Sequence, residues 1–171
     1  TGVYYWAHAL IARDWFRFAQ LDHKLKQKNI QFDFLIYNRA WSGTREYRLK
    51  FAELLVKSNL HHHCQMGFNG IDGIHYSDHK FNNPAMQIYS TDLEQYFFKN
   101  SSMPSASADY DAHDYQSTAI EVVLETLFDD SRLHLTEKAL RPIACGQPFI
   151  LAATAGSLAY LRSYGFITFS L

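Results

Sequence analysis

The run AIEVVL at residues 119–124 begins an alternation of segments that decides the fold of this chain. Two more apolar runs follow, at 148–153 and 166–169. Each is preceded by a segment of helical composition, at 136–145 and 156–164, that a glycine closes. Strand, helix, strand, helix and strand in this order predict an α/β layer with a mostly parallel sheet and flanking helices.

The first half of the chain extends the same layer. Residues 4–26 contain neither Pro nor Gly and favour an N-terminal helix. The apolar run at 32–37 predicts a buried strand, residues 44–58 a helix and residues 62–68 a second strand. The predicted fold is therefore a Rossmann-like layer preceded by one helix.

The helix predicted at 44–58 has an amphipathic pattern. Its apolar stripe is formed at i, i+4, i+7 and i+8 by Tyr47, Phe51, Leu54 and Leu55. The opposite face is expected to carry two i,i+4 ion pairs: Glu46 with Lys50, and Glu53 with Lys57.

Length and charge limit the classes of protein that the chain can represent. It has 171 residues and a mass of 19.8 kDa, which fits one domain, with a helix at 1–28 and a nucleotide-binding-like layer at 32–171. With 16 Lys+Arg against 17 Asp+Glu, the net charge is −1, so no strong nucleic-acid binding is expected. Because the chain begins at Thr1 and stops at Leu171 inside an apolar run, we expect it to be a fragment of a longer chain.

The cellular compartment is predicted from cysteines and hydropathy. Cys64 and Cys145 are too few and too far apart for a disulfide framework, which favours a reducing compartment. No stretch approaches the ~20 apolar residues of a membrane span, and the start has no signal-peptide pattern. We expect a cytoplasmic protein without a membrane segment.

The histidine cluster at 61–63 does not predict a metal site. Alternate side chains of a strand point to opposite faces, so His61 with His63, or His62 with Cys64, could supply two ligands only. No second spaced pair completes a zinc-type site, and no metal is expected.

The first candidate binding segment follows the strand predicted at 32–37. Arg39, Arg45 and Arg48 cluster where the next helix begins, and backbone N–H groups and the positive end of the helix dipole favour an anion there. Guanidinium groups can bind phosphate oxygens bidentately, so the cluster suits a diphosphate. The alternative is that these arginines are solvated and pair with nearby acids.

The second candidate segment begins the helix at 136–145. Thr136 is the expected N-cap, which places Glu137 and Lys138 in the first turn, at the ligand edge of a parallel sheet. A carboxylate there can accept hydrogen bonds from a ribose diol, and the lysine can bind a phosphate. The alternative is that Glu137 is only a favourable first-turn residue. Pro142 predicts a kinked or very short helix.

These two segments resemble the donor-binding half of GT-B glycosyltransferases, especially the α-1,3-fucosyltransferase and exostosin-like groups. Asn38 after a strand, with Arg45-Glu46 seven residues on, matches the spacing of fucosyltransferases, and Thr136-Glu137-Lys138 resembles their Thr/Ser-Glu-Lys signature. The resemblance covers roughly residues 32–68 and 119–171. The chain departs from the family at His134-Leu135 and after Ala153.

The resemblance implies a metal-independent glycosyltransferase that binds a nucleotide sugar and transfers the sugar to an unknown glycan, protein or modified-base acceptor. Arg45 and Lys138 would contact the donor diphosphate, with Arg39 or Arg48 beside them, and Glu137 would contact the ribose. The acceptor site and general base of GT-B enzymes lie mostly on the other half of the molecule. No catalytic residue is therefore assigned, and this chain is expected to bind a nucleotide more readily than to turn over a sugar.

A second resemblance covers the whole chain. Stretches such as Tyr5-Trp6-Ala7-His8 and Arg13-Asp14-Trp15-Phe16 are similar to proteins encoded by marine bacteriophages, which implies the host cytoplasm as the compartment. It also supports an alternative function, a non-catalytic phage accessory or structural interaction domain. In that case Arg45, Glu137 and Lys138 would form a solvated salt-bridge cluster.

Overall fold

The computed structural model describes residues 7–99 and 110–168. The helices within these ranges are α1 (Ala7–Ala19), α2 (Tyr47–Lys57), α3 (Ala112–Ser117), α4 (Glu137–Cys145) and α5 (Ser157–Ser163). The strands are β1 (Phe32–Ile36), β2 (Cys64–Phe68), β3 (Ile71–Asp72), β4 (Ile74–His75), β5 (Phe98–Lys99), β6 (Thr118–Leu124) and β7 (Phe149–Ala152).

Five of these strands form one sheet in which every neighbouring pair is parallel. The order is β5-β2-β1-β6-β7, while β3 and β4 form a separate small hairpin. The chain therefore starts at β1 in the middle, moves outward through β2 to β5, returns to β6 beside β1, and continues to β7. This confirms the predicted α/β class with a Rossmann-like parallel sheet.

Both faces of the sheet are covered. On one face, α2 and the long segment between β2 and β5 pack on β1, β2 and β6; the apolar core there includes Ile36, Leu49, Met66 and Leu124. On the other face lie α1, α3, α4 and α5, which pack on residues of the opposite parity such as Leu35. The two-residue periodicity of a strand explains this division, since neighbouring side chains point to opposite faces.

The second face contains a buried ion pair. Arg141 of α4 donates from Nη2 to Glu121 Oε1 of β6 at 2.8 Å, and both side chains are almost fully buried. Its Nε donates to the Tyr115 hydroxyl at 3.2 Å, and that hydroxyl in turn donates to the second oxygen of Glu121. The guanidinium also lies 4.2 Å from the ring centroid of Tyr37. Strand β6 is thus joined to α3 and α4 by charge as well as by apolar packing.

The structure corrects the predicted surface of α2. The helix begins at Tyr47 because Gly43–Arg45 form a 3₁₀ turn, in which Gly43 has a φ of +62°. Leu54, assigned to the apolar stripe, is half exposed, whereas Leu49 is buried. Both glutamates of the predicted ion pairs are buried, although Glu53 does pair with Lys57 at 3.0 Å.

The ends of other elements also differ from the predictions. The helix predicted to reach residue 26 ends at Ala19, and the Asp22 side chain accepts the N–H of Lys24 to start a 3₁₀ turn. The three histidines at 61–63 form a 3₁₀ turn before β2 instead of its first residues. Residues 166–168 form no strand, and Phe169 lies outside the described residues.

The buried glutamates hold the long segment that connects β2 to β5. Glu53 Oε1 accepts the backbone N–H groups of Tyr89 at 2.8 Å and Ser90 at 3.1 Å. Its other oxygen receives the ammonium groups of Lys50 and Lys57. Burial acts to raise the pKa of Glu53, but these hydrogen bonds and ion pairs lower it from 4.5 to about 2.

Protonation of Glu53 should therefore weaken the fold. Because its pKa is lower in the folded than in the unfolded chain, the stabilisation is present above pH 4.5 and is lost as the pH falls towards about 2. We expect this group to contribute about 3 kcal/mol to the free energy of unfolding over that interval. The free energy of unfolding, measured by urea titrations at several pH values, should fall less steeply with decreasing pH in Glu53→Gln than in the wild type. Asp78→Asn, at an exposed position, should keep the wild-type slope. Equal slopes in all three proteins would contradict this role.

The buried ion pair predicts a second effect on stability. Arg141→Met leaves the Glu121 carboxylate buried without its cation, so the free energy of unfolding should fall by about 3–5 kcal/mol. The double variant Glu121→Leu with Arg141→Met removes both charges and should recover much of that loss. Urea unfolding of the three proteins measures the difference. A double variant that is less stable than Arg141→Met would show that the apolar replacement does not fit the site.

Candidate functional site

The order in which the chain adds strands to the sheet reverses between β1 and β6. The chain leaves β1 towards β2 through α2 and leaves β6 towards β7 through α4, so the two connections diverge to opposite sides. In open α/β sheets, ligands bind in the crevice outside the carboxyl ends of the strands at such a point. Both helices begin there, because each follows the loop at the end of its strand. All five predicted binding residues lie in these two connections.

Arg48 lies under this crevice rather than on its surface. Its guanidinium donates from Nη1 to the carbonyl of Ala40 at 2.6 Å, and from Nη2 to the carbonyls of Leu124 at 2.6 Å and Glu125 at 3.1 Å. The side chain is buried, and burial lowers the pKa of this arginine. Arg48 therefore joins the loop after β1 to the end of β6.

Two buried polar groups near the ends of β1 and β6 have no hydrogen-bond partner. Asn38, two residues beyond β1, is 1% exposed, and neither Oδ1 nor Nδ2 of its amide is paired. The Nε of Arg48 is also buried and unpaired. Because a buried polar group without a partner is costly and rare in folded proteins, the unpaired amide indicates a bound water or a polar ligand group beyond the end of β1.

The start of α4 is fixed by a carboxylate. Thr136 caps the helix, and Glu125, at the end of β6, accepts its backbone N–H at 3.0 Å and its hydroxyl at 2.7 Å. The Nζ of Lys138 lies 3.1 Å from the Thr136 hydroxyl and 3.1 Å from Glu137 Oε1. Glu137 is buried, whereas the Lys138 side chain keeps about a quarter of its surface exposed.

The other two predicted arginines lie nearer the surface, on the connection from β1 to α2. Arg39 is exposed. Arg45 is half buried, and its Nε donates to the carbonyl of Ser42 at 3.2 Å. Asp72 lies close to this turn and accepts the N–H groups of Trp41 at 2.9 Å and Ser42 at 2.8 Å. Burial acts to raise the pKa of Asp72, but these hydrogen bonds and the charge of Arg45 lower it.

A cavity of about 350 Å³ opens between the two connections. Thr44 and Glu46 at the start of α2 line one side, and Phe128 and Asp129 after β6 line another. The Phe128 ring stacks on Tyr47, with centroids 4.5 Å apart and planes 16° apart. The remaining lining residues are mostly polar or small: Gly43, Asn82, Asn83, Met86, Leu127 and Asp130.

The carboxylates of this cavity already have hydrogen-bond partners. Glu46 accepts the backbone N–H groups of Asn82 and Asn83 and approaches His79 Nε2 at 2.8 Å. Burial acts to raise the pKa of Glu46, but these hydrogen bonds lower it. Asp129 accepts the side-chain amide of Asn83 at 2.9 Å. The cavity wall is therefore an ordered set of oxygen and amide groups beside one exposed aromatic ring.

The structure thus brings Arg48, Glu137 and Lys138 to the end of β6, and it leaves Arg39 and Arg45 on the neighbouring connection. Sequence reasoning did not assign a role to Glu125, although an acid directly after the buried run at 119–124 was the available signal. Asn38 entered the sequence analysis only through its spacing of seven residues from Arg45-Glu46. Burial of that amide depends on residues far along the chain and has no local signal.

No metal cluster and no membrane span is found in the part of the chain that the structure describes. No group of three or more His, Cys, Asp or Glu side chains there could hold a metal ion. In the histidine turn, Nδ1 of the exposed His63 lies 2.7 Å from Oδ2 of the exposed Asp33. No described helix is long and apolar enough to cross a membrane.

The different environments of Arg45 and Arg48 predict different effects on stability. Arg48→Met leaves carbonyl groups unpaired in the loop after β1 and at the end of β6, so we expect the free energy of unfolding to fall by about 2–4 kcal/mol. Arg45→Met removes one hydrogen bond of a half-buried side chain and should cost about 1 kcal/mol or less. Urea unfolding of both variants checks this, and equal losses would show that Arg48 does not have the anchoring role assigned to it.

Known proteins do not supply a function by similarity. No family model matches the chain. No curated protein and no solved structure matches it either. The side chains around the crevice between β1 and β6 are therefore the basis on which a function can be proposed.

Proposed function

We propose that this chain binds a nucleotide sugar in the crevice between β1 and β6, as the donor-binding part of a glycosyltransferase. The observation that carries the proposal is the fully buried Asn38 amide, whose donor and acceptor are both unpaired near the point where the order of the strands reverses. An amide of this kind can pair with a ligand that offers both a donor and an acceptor, such as a nucleobase edge or a ribose hydroxyl.

The diphosphate is proposed to lie at the starts of α2 and α4. Lys138 is in the first turn of α4, where a cation is unfavourable unless an anion is present. Its ammonium has a partly exposed position beside Thr136 and Glu137, from which it can exchange one partner for a phosphate oxygen. Arg45 at the start of α2, with the exposed Arg39 nearby, would supply further positive charge. Arg48 takes a supporting role here, because its guanidinium already binds three carbonyls.

The sugar is proposed to occupy the cavity between the two connections. Its volume of about 350 Å³ is sufficient for a hexose, and its walls combine the Phe128 ring with Asn82, Asn83 and Asp129. Oxygen and amide groups can pair with sugar hydroxyls, and an aromatic ring can pack on the apolar face of the sugar. During transfer, Lys138 and Arg45 would stabilise the negative charge that develops on the leaving diphosphate. We assign no general base.

Titration calorimetry with GDP-fucose, UDP-glucose and ADP-glucose tests the proposal. We expect saturable binding of at least one of them. Lys138→Ala and Arg45→Ala should each weaken it about tenfold or more, because a charge-assisted hydrogen bond contributes about 1.5–3 kcal/mol. Lys80→Ala, at an exposed position outside the crevice, is the matched control and should bind as the wild type does. Absence of saturable binding to all three donors would overturn the proposal, and unchanged binding in both variants would overturn the site.

One observation favours a second candidate, a non-catalytic interaction domain. Lys138 is paired with Glu137 at 3.1 Å, which is one part of the salt-bridge cluster that this alternative expects, although Glu137 is buried and Arg45 donates to the carbonyl of Ser42. The same variants separate the two functions. If the pair is only structural, Glu137→Gln and Lys138→Ala should change the free energy of unfolding by similar amounts, and no nucleotide sugar should bind to any of the proteins.

A further inference from the structure

The cavity between the two connections has acidic walls. Its lining includes the carboxylates of Glu46, Asp129 and Asp130. None of the described residues that line it is a lysine, an arginine or a histidine. Two basic side chains outside the lining contact these acids: Arg132 pairs with Asp130 at 2.6 Å, and His79 Nε2 lies 2.8 Å from Glu46 Oε1. The lining itself therefore presents negative charge, and no positive charge, to a ligand.

Hydrogen bonds keep two of these carboxylates ionised. Glu46 accepts the backbone N–H groups of Asn82 at 2.9 Å and Asn83 at 3.1 Å. Burial acts to raise the pKa of Glu46, but these hydrogen bonds lower it. The hydrogen bonds that Arg132 donates to Asp130 lower the pKa of that carboxyl group. A ligand in the cavity would therefore lie beside fixed negative charges at neutral pH.

The amide donors of the wall are directed at these acids. Asn82 Nδ2 donates to Glu46 Oε1 at 3.0 Å, and Asn83 Nδ2 donates to Asp129 Oδ2 at 2.9 Å. The hydroxyl of Tyr47 donates to a backbone carbonyl just after β6. The wall therefore offers more acceptors than donors to a ligand. A sugar hydroxyl can donate to such acceptors, whereas an ionised carboxyl group can only accept.

From this pattern of charge and hydrogen bonds we infer that the cavity admits an uncharged sugar and excludes a sugar that carries a carboxylate, with Asp129 as the residue that determines this specificity. The inference rests on the proposed function. A sugar carboxylate would be partly removed from water beside Asp129 and Glu46, and no lining cation would compensate for that loss. Specificity of this kind comes from an unfavourable contact with the wrong ligand.

Asp129 is the carboxylate that can be changed with least effect on the fold. It is exposed and accepts a side-chain amide, whereas Glu46 is 3% exposed and accepts backbone groups. Asp129→Asn keeps the size of the side chain and removes its charge. Neither Arg45 nor Lys138, which are proposed to bind the diphosphate, belongs to the lining of the cavity. Their charges would therefore not offset a carboxylate on the sugar.

Titration calorimetry of the whole chain with pairs of donors tests the inference. The pairs are UDP-glucose with UDP-glucuronic acid, ADP-glucose with ADP-glucuronic acid, and GDP-mannose with GDP-mannuronic acid, and the members of each pair differ only in the carboxylate. For the nucleotide that the chain binds, the acidic donor should have a Kd higher by a factor of about ten or more, because desolvation and like charge both oppose it. In Asp129→Asn this ratio should fall about threefold, as expected for one exposed charge.

Asp33→Asn is the matched control, because Asp33 is exposed and lies at the start of β1, away from the carboxyl edge. It should keep the wild-type ratio, and the nucleoside diphosphate alone should bind equally to all three proteins. Equal affinity of the two donors of a pair for the wild type, or an unchanged ratio in Asp129→Asn, would overturn the inference and leave the proposed function intact. Absence of saturable binding to every donor would overturn both.

Discussion

The ion pair between Glu121 and Arg141 is the constraint on which the arrangement of the second face depends. Two charges removed from water must remain paired, since a single buried charge costs several kcal/mol. Burial acts to lower the pKa of Arg141, but the carboxylate of Glu121 raises it above its ordinary value, so the guanidinium stays charged. Burial and the same carboxylate raise the pKa of Tyr115, which keeps its hydroxyl protonated and able to donate to Glu121. The position of α4 on the sheet is set by this geometry, and with it the place of Lys138 at the carboxyl edge.

Buried carboxylates have a common role in the rest of the fold. The buried Glu46, Glu53 and Glu125, and the partly buried Asp72, each accept backbone N–H groups from loops that follow the strands. Loops with little regular structure must find partners for their backbone groups, and a carboxylate can accept several hydrogen bonds at once. The connections at the carboxyl edge are therefore ordered by carboxylates of α2 and β3 and of the residues directly before α2 and after β6. The unpaired amide of Asn38 contrasts with these satisfied acids.

The elements could be predicted from the sequence where local patterns determine them. The apolar run at 119–124 and the end of α4 at Gly146, which has a φ of +67°, depend on neighbouring residues. The prediction for α2 was right that Tyr47, Phe51 and Leu55 face the core. It was wrong to place Glu53 on the opposite, solvent-facing side, because this buried side chain binds Tyr89, 36 residues further along the chain. The location of the site, at the carboxyl edge of a parallel sheet, could be predicted from the order of the strands and helices along the chain. The anchoring contacts of Arg48 could not be predicted, because they join α2 to carbonyls 76 and 77 residues away.

Strand β6 is held by an arginine from each side. Arg48 of α2 binds its carboxyl end across one face, and Arg141 of α4 binds Glu121 across the other. A slip of β6 by one residue would turn Glu121 towards the apolar face and break the second contact. The two layers therefore share one register, set in the centre of the sheet, and neither can form its native packing while the other is misaligned. We therefore expect the layers on the two faces of the sheet to fold together, because both depend on the register of β6.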